Sequence, residues 1–273
     1  MTTLVIGARG SIGRQVLEQL VAAGETVRAS VRDPATAGLP AGVPVVAADL
    51  TRPDTLRAAL DGVRKVFLYA PLSGADAFLQ AAGDADLEQV VQLSSGSVLL
   101  PGAAGNVIAE EHRAVERSFA DSGLRWTPIR PLVLAGNAVN WARSIRAEGV
   151  ARLFRPDAVT APIHERDIAA VAVAALSGGA GVSAMLTGPE LMSQQRQVES
   201  IGAAIGREIR VEELSEDAAR RRFGPSATVA AILELTTAAA AGGSPATDAV
   251  ERVLGRPAVP FEQWARDHAA DFR

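Results

Sequence analysis

Three glycines, Gly7, Gly10 and Gly13, follow the apolar run Leu4-Val5-Ile6 and precede an amphipathic stretch over Ile12–Ala23. Strand, glycine turn and helix in that order let backbone N–H groups approach a pyrophosphate, which rests on the positive end of the helix. The segment Gly7-Ala8-Arg9-Gly10-Ser11-Ile12-Gly13 therefore reads as a dinucleotide cradle, with Gly7, Arg9, Gly10, Ser11, Ile12 and Gly13 against the ligand. The bland alternative is a glycine-rich turn that holds nothing.

The end of the second strand chooses between the two nicotinamide cofactors. NAD binders place an acid there for the ribose 2′-OH, and NADP binders place cations for a 2′-phosphate. Here the chain reads Ala29-Ser30-Val31-Arg32-Asp33-Pro34. Arg32, with Arg9 from the glycine turn, supplies two guanidinium groups for charge-assisted bonds to phosphate. Asp33 competes, but Pro34 puts it in a turn beyond the strand, where it caps or stays solvated. NADPH/NADP is the expected cofactor. Asp49 and Leu50 end the third strand beside the adenine, unless Asp49 caps the helix ahead of Pro53. Tyr69, Ala70 and Pro71 end the fourth, their backbone along the ribose side.

These residues need a scaffold. Short β-branched runs alternate with longer amphipathic stretches through the first half, the pattern of βαβ units. Strands are predicted at Thr3–Ile6, Thr26–Val31, Val43–Ala47, Lys65–Tyr69, Gln89–Leu93 and Trp126–Ile129, and helices at Ile12–Ala23, Asp54–Leu60, Asp76–Ala82 and Val107–Ser122. After Pro131 the alternation loosens into a helix-rich stretch with short strands such as Ser183–Leu186 and Glu208–Val211, and Ala227–Ala241 reads as an alanine helix ending at Gly242-Gly243. The predicted class is α/β: a Rossmann-like doubly wound parallel sheet with a small C-terminal substrate-binding lobe. The expected division is residues 1–135 for NADP binding and 136–273 for the lobe, interleaved with the end of the sheet.

Composition narrows the function classes. A chain of 273 residues that is 48% apolar and 21% charged is globular rather than disordered, collagenous or coiled-coil. Its net charge of −4 argues against nucleic acid, whose phosphates call for a basic surface. With no cysteine there is no disulfide framework, thiolate nucleophile or cysteine-ligated metal, and no metal site is expected. The amino end has no basic leader, and no run of about 18 apolar residues follows. A soluble cytoplasmic protein acting on a small molecule, with no membrane partner, is the expectation.

The chain resembles the NmrA-like group of atypical short-chain dehydrogenase/reductases over nearly its full length. The residues that carry the likeness are the Leu4–Gly13 turn, Val27–Pro34, Ala48-Asp49-Leu50, Gly62–Leu68, Ser122–Pro131, Ile163–Ala169 and Leu186–Glu190. The spacing GxxGxxG, rather than GxGxxG, points toward the same branch. The resemblance implies a nicotinamide cofactor and a substrate cleft under the C-terminal lobe. It implies no single reaction, because the group holds reductases of quinones, dyes and ketones as well as redox-sensing regulators.

Active members usually pair a serine with a tyrosine and a lysine four residues apart on the helix after strand five. The tyrosine donates the proton and the lysine lowers its pKa. Aligned on Glu116 and Arg130-Pro131, the lysine position here is His112 and the tyrosine position Ile108. The single tyrosine, Tyr69, and the single lysine, Lys65, both lie in strand four, so the pair is missing. Ser94-Ser95-Gly96-Ser97 does match the serine segment, with Ser94 and Pro131 on the cofactor side. Ser95 or Ser97 could bond a substrate carbonyl, or merely finish the strand. His112 could bond the ribose hydroxyls or titrate near neutrality, or be a solvated partner of Glu116. Ile108, Asn137, Trp141 and His164 are the candidate substrate contacts, against core or structural roles for Trp141 and His164, while His268 reads as incidental.

Hydride delivered to a carbonyl puts charge on its oxygen, and losing one donor to such an oxyanion costs about 2.7–4 kcal/mol. A protein without the tyrosine suits a substrate that needs it less, such as a quinone or a ketone flanked by a phenolic hydroxyl. The expected function is an NADPH-dependent reductase of an aromatic, polyketide-like ketone or quinone with substrate-assisted protonation, similar to the ketoreductases of angucyclinone antibiotic pathways. An NADP(H)-sensing regulatory protein without turnover is the alternative. A sugar-nucleotide epimerase fits less well, since that chemistry needs the tyrosine.

Overall fold

The computed structural model describes residues 1–36, 38–69, 71–179 and 182–273, with Thr36 and Leu72 described by backbone alone. In chain order the first half runs β1 (Thr2–Ile6), α1 (Ser11–Ala22), β2 (Val27–Val31), β3 (Val45–Ala47), α2 (Pro53–Leu60), β4 (Val63–Leu68), α3 (Leu72–Ala82), β5 (Gln89–Leu93), α4 (Val107–Asp121) and β6 (Trp126–Pro131). The second half runs α5 (Ala142–Glu148), β7 (Val150–Phe154), β8 (Val159–Thr160), α6 (Glu165–Leu176), β9 (Met185–Leu186), β10 (Met192–Ser193), α7 (Gln194–Ile205), β11 (Arg210–Leu214), α8 (Glu216–Phe223), α9 (Ala227–Ala240), α10 (Ala249–Leu254) and α11 (Phe261–Asp267).

Two compact units divide the chain. The first comprises Met1–Val98, Glu111–Arg130 and Glu165–Met185, and the second Leu99–Glu110, Pro131–His164 and Leu186–Arg273. The main sheet has seven strands in the order β3-β2-β1-β4-β5-β6-β9. The pairs β1–β2, β1–β4, β2–β3, β4–β5 and β5–β6 are all parallel. This is the Rossmann-like, doubly wound arrangement. Its strand order reverses at β1, so β2 and β4 flank the strand that carries the glycine turn, which is where ligands bind in open α/β sheets.

Burial explains the layers. Leu4 and Ile6 of β1 share one face with Val66 and Leu68 of β4, where they pack on Leu56 and Leu60 of α2, Phe78 of α3 and Phe119 of α4. Phe119 also stacks between Phe78 and Trp126, at ring-centroid distances of 6.0 and 5.6 Å. Helices α1 and α6 pack on each other, and α6 touches β4 and β5. The strands are therefore buried from both sides, which accounts for their continuous apolar runs rather than strict alternation.

In the second unit β7 and β11 form their own parallel pair, from Arg210 opposite Val150 to Leu214 opposite Phe154. Its core gathers Ile145, Leu153, Ile201, Phe261, Trp264 and Phe272.

Several boundaries depart from the expected ones for physical reasons. Strand β3 begins at Val45, because Pro44 has no N–H to pair and contributes only its carbonyl, which accepts from Ala29 N–H at 2.9 Å. Helix α3 begins at Leu72 rather than Asp76. Gly74 lies inside that helix, where a Cβ would fall 2.9 Å from Leu50 Cβ, so the position calls for glycine. Strand β4 stops at Leu68, leaving Tyr69 beyond it and 52% exposed.

Gly7 adopts φ +85°, and a Cβ at Gly13 would fall 2.2 Å from the Gly7 carbonyl oxygen. Strand β1 and helix α1 can meet this closely only with glycine at both positions. Gly13→Ala is expected to lower the urea unfolding midpoint by an amount equivalent to about 1–3 kcal/mol. An unchanged midpoint would contradict the close approach.

Candidate active site

The glycine turn is closed by Gly10 N–H donating to Gly7 O at 3.0 Å, and α1 then starts from Gly10 as N-cap. No side chain caps that end, and its first turn carries no acid. The leading amides of α1 are therefore left to a ligand, and the dipole at that end favours an anion. At Gly10 a Cβ would meet only the Gly7 carbonyl, at 3.4 Å, so the approach from outside is open there. Ser11 is exposed while Ile12 and Gly13 are buried beneath it. A surface that bare fits a pyrophosphate, and Gly7, Gly10 and Gly13 are the positions that would hold one.

Arg9 and Arg32 are both exposed, and neither makes a hydrogen bond or salt bridge among the described residues. In the same unit Arg14 pairs with Glu18, Arg57 with Asp54 and Arg64 with Glu88, while Arg52, Arg117 and Arg125 make no side-chain bond among the described residues. Asp33 uses Oδ1 to accept the Ala35 N–H at 3.0 Å, which ties one of its oxygens to the turn after β2.

Asp49 closes a similar turn. Its Oδ1 accepts Thr51 N–H at 2.9 Å and Thr51 Oγ1 at 2.8 Å. Those two bonds hold its carboxyl below the usual carboxylate range, with smaller help from the charges of Arg32 and Arg52. Leu50 packs against Gly74 of α3. Pro71 caps α3, its carbonyl accepting from Gly74 and Ala75 N–H groups, and Ala70 lies outside the described residues.

Two strands along from β1, at the same edge of the parallel sheet, the chain leaving β5 carries three serines. Ser94 donates its hydroxyl to Glu116 Oε1 at 2.6 Å. Ser95 Oγ and Ser97 Oγ are 2.9 Å apart, and Ser97 N–H donates to Ser95 Oγ at 3.2 Å. One hydroxyl hydrogen of that pair is consumed between the two oxygens and the other is left over. Ser97 is 2% exposed and Ser95 half-buried, so the leftover donor belongs on Ser95.

His112 stands one helical turn before Glu116 on α4, half-buried. Burial pushes its imidazole below the ordinary 6.5, outweighing the upward pull of Glu116 and Glu111. Glu116 itself is held by Arg130, from Nε at 2.8 Å and from a terminal nitrogen at 2.6 Å. The sequence pointed at Glu116 and Arg130 only as landmarks for alignment. Their roles in binding Ser94 and in holding β6 leave no signal in the sequence, because the three residues lie on three separate elements.

The remaining candidates belong to the second unit. Ile108 is half-buried in the first turn of α4, Asn137 is exposed in a short helical turn and Pro131 is buried at the end of β6. Trp141 packs on the apolar core of that unit. His164 is 3% exposed, with Nε2 3.2 Å from Asp267 Oδ2. His268 stacks on Trp264 at 4.5 Å and bonds Asp271 at 2.9 Å, so it belongs to the packing of the carboxyl-terminal segment. No group of three or more metal-ligating side chains, and no helix long and apolar enough to cross a membrane, occurs among the described residues.

A family model described as NAD(P)H-binding matches residues 7–178. A (4-alkanoyl-5-oxo-2,5-dihydrofuran-3-yl)methyl phosphate reductase of Streptomyces griseus is 35% identical, covering 98% of each chain. An NAD(P)H azoreductase of Xenophilus azovorans is 34% identical, again over 98% of each. Among solved structures, an NADPH-dependent quinone oxidoreductase of Escherichia coli, complexed with NADPH, superposes with a TM-score of 0.81 at 23% identity, over 98% of this chain and 99% of that one.

Two outcomes follow from this geometry. Arg32→Ala is expected to weaken NADPH binding by roughly tenfold or more, the loss of a charge-assisted bond, while NADH changes little; paired calorimetric titrations that fall equally for both would refute the assignment. Because His112 is harder to protonate folded than unfolded, the unfolded chain takes up the extra proton as pH falls through 6.5. Stability conferred by the neutral ring is complete above that pH and is lost below it. Unfolding midpoints measured between pH 7 and pH 5 should therefore decline more in the native protein than in His112→Gln; parallel declines would contradict the burial effect.

Proposed function

The chain belongs to the NAD(P)H-binding family and is an NAD(P)H-dependent reductase, and we propose that it uses NADPH to reduce an aromatic, polyketide-like ketone or quinone with protonation assisted by the substrate. The observation that carries this reading is the donor set at the end of β5. Ser95 offers one spare O–H beside Ser97 at 2.9 Å, and the half-buried ring of His112 is on α4. A serine hydroxyl can hydrogen-bond an oxyanion but is far too weak an acid to protonate it. The chain has one tyrosine and one lysine, Tyr69 just past β4 and Lys65 within it, and so lacks the phenol–ammonium pair that would supply a proton.

NADPH, when bound, supplies the hydride from nicotinamide C4. This chain's residues then have three tasks. Gly7, Gly10 and Gly13 seat the pyrophosphate against the bare end of α1, and Arg9 and Arg32 hold the 2′-phosphate. Asp49, Leu50, Tyr69, Pro71 and Ser94 line the cofactor, and His112 bonds a ribose hydroxyl as a neutral imidazole. Ser95 steadies the developing negative charge, a role worth about 2.7–4 kcal/mol for a single well-placed donor.

A conjugated acceptor suits that equipment. Two relatives that span 98% of the chain are named for an unsaturated oxo-furan and for azo compounds. In such groups the incoming electrons spread over several atoms, so the demand on any one proton donor falls. A phenolic hydroxyl next to the carbonyl meets the remaining demand by passing its own proton. The regulatory alternative has no comparable support, because both relatives are named as reductases.

The reading is tested with 1-hydroxyanthraquinone and anthraquinone as paired acceptors, following NADPH oxidation at 340 nm. Faster turnover of the hydroxylated member, by about tenfold or more, is expected for general-acid assistance. Equal rates would remove substrate-assisted protonation.

A further inference from the structure

The carboxylate of Glu116 is bound by both strands beside it. Ser94 at the end of β5 donates to Oε1 at 2.6 Å, and Arg130 of β6 donates to Oε1 at 2.8 Å and to Oε2 at 2.6 Å. Arg130 also donates to the Ser183 carbonyl at 2.6 Å, ahead of β9. Both charged side chains are 13% exposed, and the paired forks leave neither with a rotamer to change. The pairs Arg14–Glu18, Arg57–Asp54 and Arg64–Glu88 of this unit are all more exposed than this one. A buried ion pair so placed does more than hold strands together, because a titratable ring stands one turn away on the same helix.

Glu116 and His112 are spaced i,i+4 on α4, the separation at which a free carboxylate would support an imidazolium. Here that carboxylate is already matched by a guanidinium. The charged groups acting on the ring are Glu116 and Glu111 of its own helix, and Arg130 of β6 is the partner of Glu116. Burial of the ring opposes protonation and prevails over both acids.

We propose that Glu116 and Arg130 are the positioning pair of the reacting end: their salt bridge fixes the ends of β5 and β6 against α4, and by sharing that carboxylate with a guanidinium it limits the support that Glu116 gives to a protonated His112. A neutral ring can accept one hydrogen bond and donate another, which matches a ribose hydroxyl. An imidazolium could only donate, and would add a positive charge next to the nicotinamide, opposing the ring's own conversion to a cation as hydride leaves. The use assigned to His112 rests on the reductase reading; the coupling of the three side chains does not.

That coupling makes a prediction that a purely structural salt bridge does not. The three histidines of the chain give three imidazole Cε1–H signals by NMR, and that of His112 is the one lost in His112→Gln. Glu116→Gln keeps an acceptor for Ser94 but removes the charge, so the His112 titration midpoint should fall below that of the native protein. Arg130→Gln frees the carboxylate to serve the ring, so the midpoint should rise, in each case by on the order of half a pH unit or more. Arg130→Lys retains the cation and should leave it close to native. The acid limb of the kcat profile should move with the midpoint in each variant. Shifts of the same sign in Glu116→Gln and Arg130→Gln, or no shift in either, would overturn the proposal. Should Arg130→Gln fail to fold, Glu116→Gln decides alone, an unmoved midpoint being the contrary result. NADPH titration of the native protein runs alongside: absent binding would sink the reductase reading while leaving the histidine titration to judge the coupling.

Discussion

A single close approach organises the first unit: the backbone at Gly13 passes so near the Gly7 carbonyl that an added Cβ would lie 2.2 Å from its oxygen. That contact fixes where β1 stops and α1 starts. It aims the uncapped amides of the helix out past the strand end, where β2 and β4 flank β1 in the sheet order. The positions of Arg9 and Arg32 follow, one in the turn and the other at the end of the neighbouring strand. Side chains other than hydrogen at Gly13 would push the helix back, and the anion seat would lose its geometry along with its packing.

The ends of β5 and β6 are organised differently, by charge instead of steric fit. Removing one partner of a buried ion pair typically costs about 3–5 kcal/mol, because the other is left uncompensated. Glu116 and Arg130 therefore tie β5, α4 and β6 together more firmly than an exposed pair could. The serines at the end of β5 inherit this rigidity. Ser94 spends its hydroxyl on Glu116, whereas Ser95 and Ser97 share one bond and leave one donor to spare. Preorganised donors of that kind stabilise developing charge without rearranging when the reaction occurs.

Much of the scaffold was legible in the sequence because it is local. The glycine turn, the C-terminal boundary of β1 and the whole of β5, Gln89–Leu93, follow from short apolar runs and their punctuation. The start of α3 was not legible, since the glycine within its first turn answers to Leu50, a residue more than twenty positions away in a different loop. Nor was the β7–β11 pairing, which joins residues some sixty positions apart. At the site, the glycines and both arginines announce themselves by type and spacing. The hold of Arg130 and Ser94 on Glu116 does not, because it is made across three elements with no pattern in any one of them. His164 shows the same limit: a histidine beside a helix start gives no hint that Asp267, a hundred residues on, is its partner.

The central claim is that a phosphorylated dinucleotide is held by two otherwise uncommitted guanidinium groups at the glycine turn. Calorimetric titration of the native protein with NADPH and with NADH, in the same buffer at low salt, tests it most directly. The account predicts that NADPH binds more tightly by about tenfold or more, the worth of a charge-assisted phosphate contact. Equal affinities, or a preference for NADH, would contradict it.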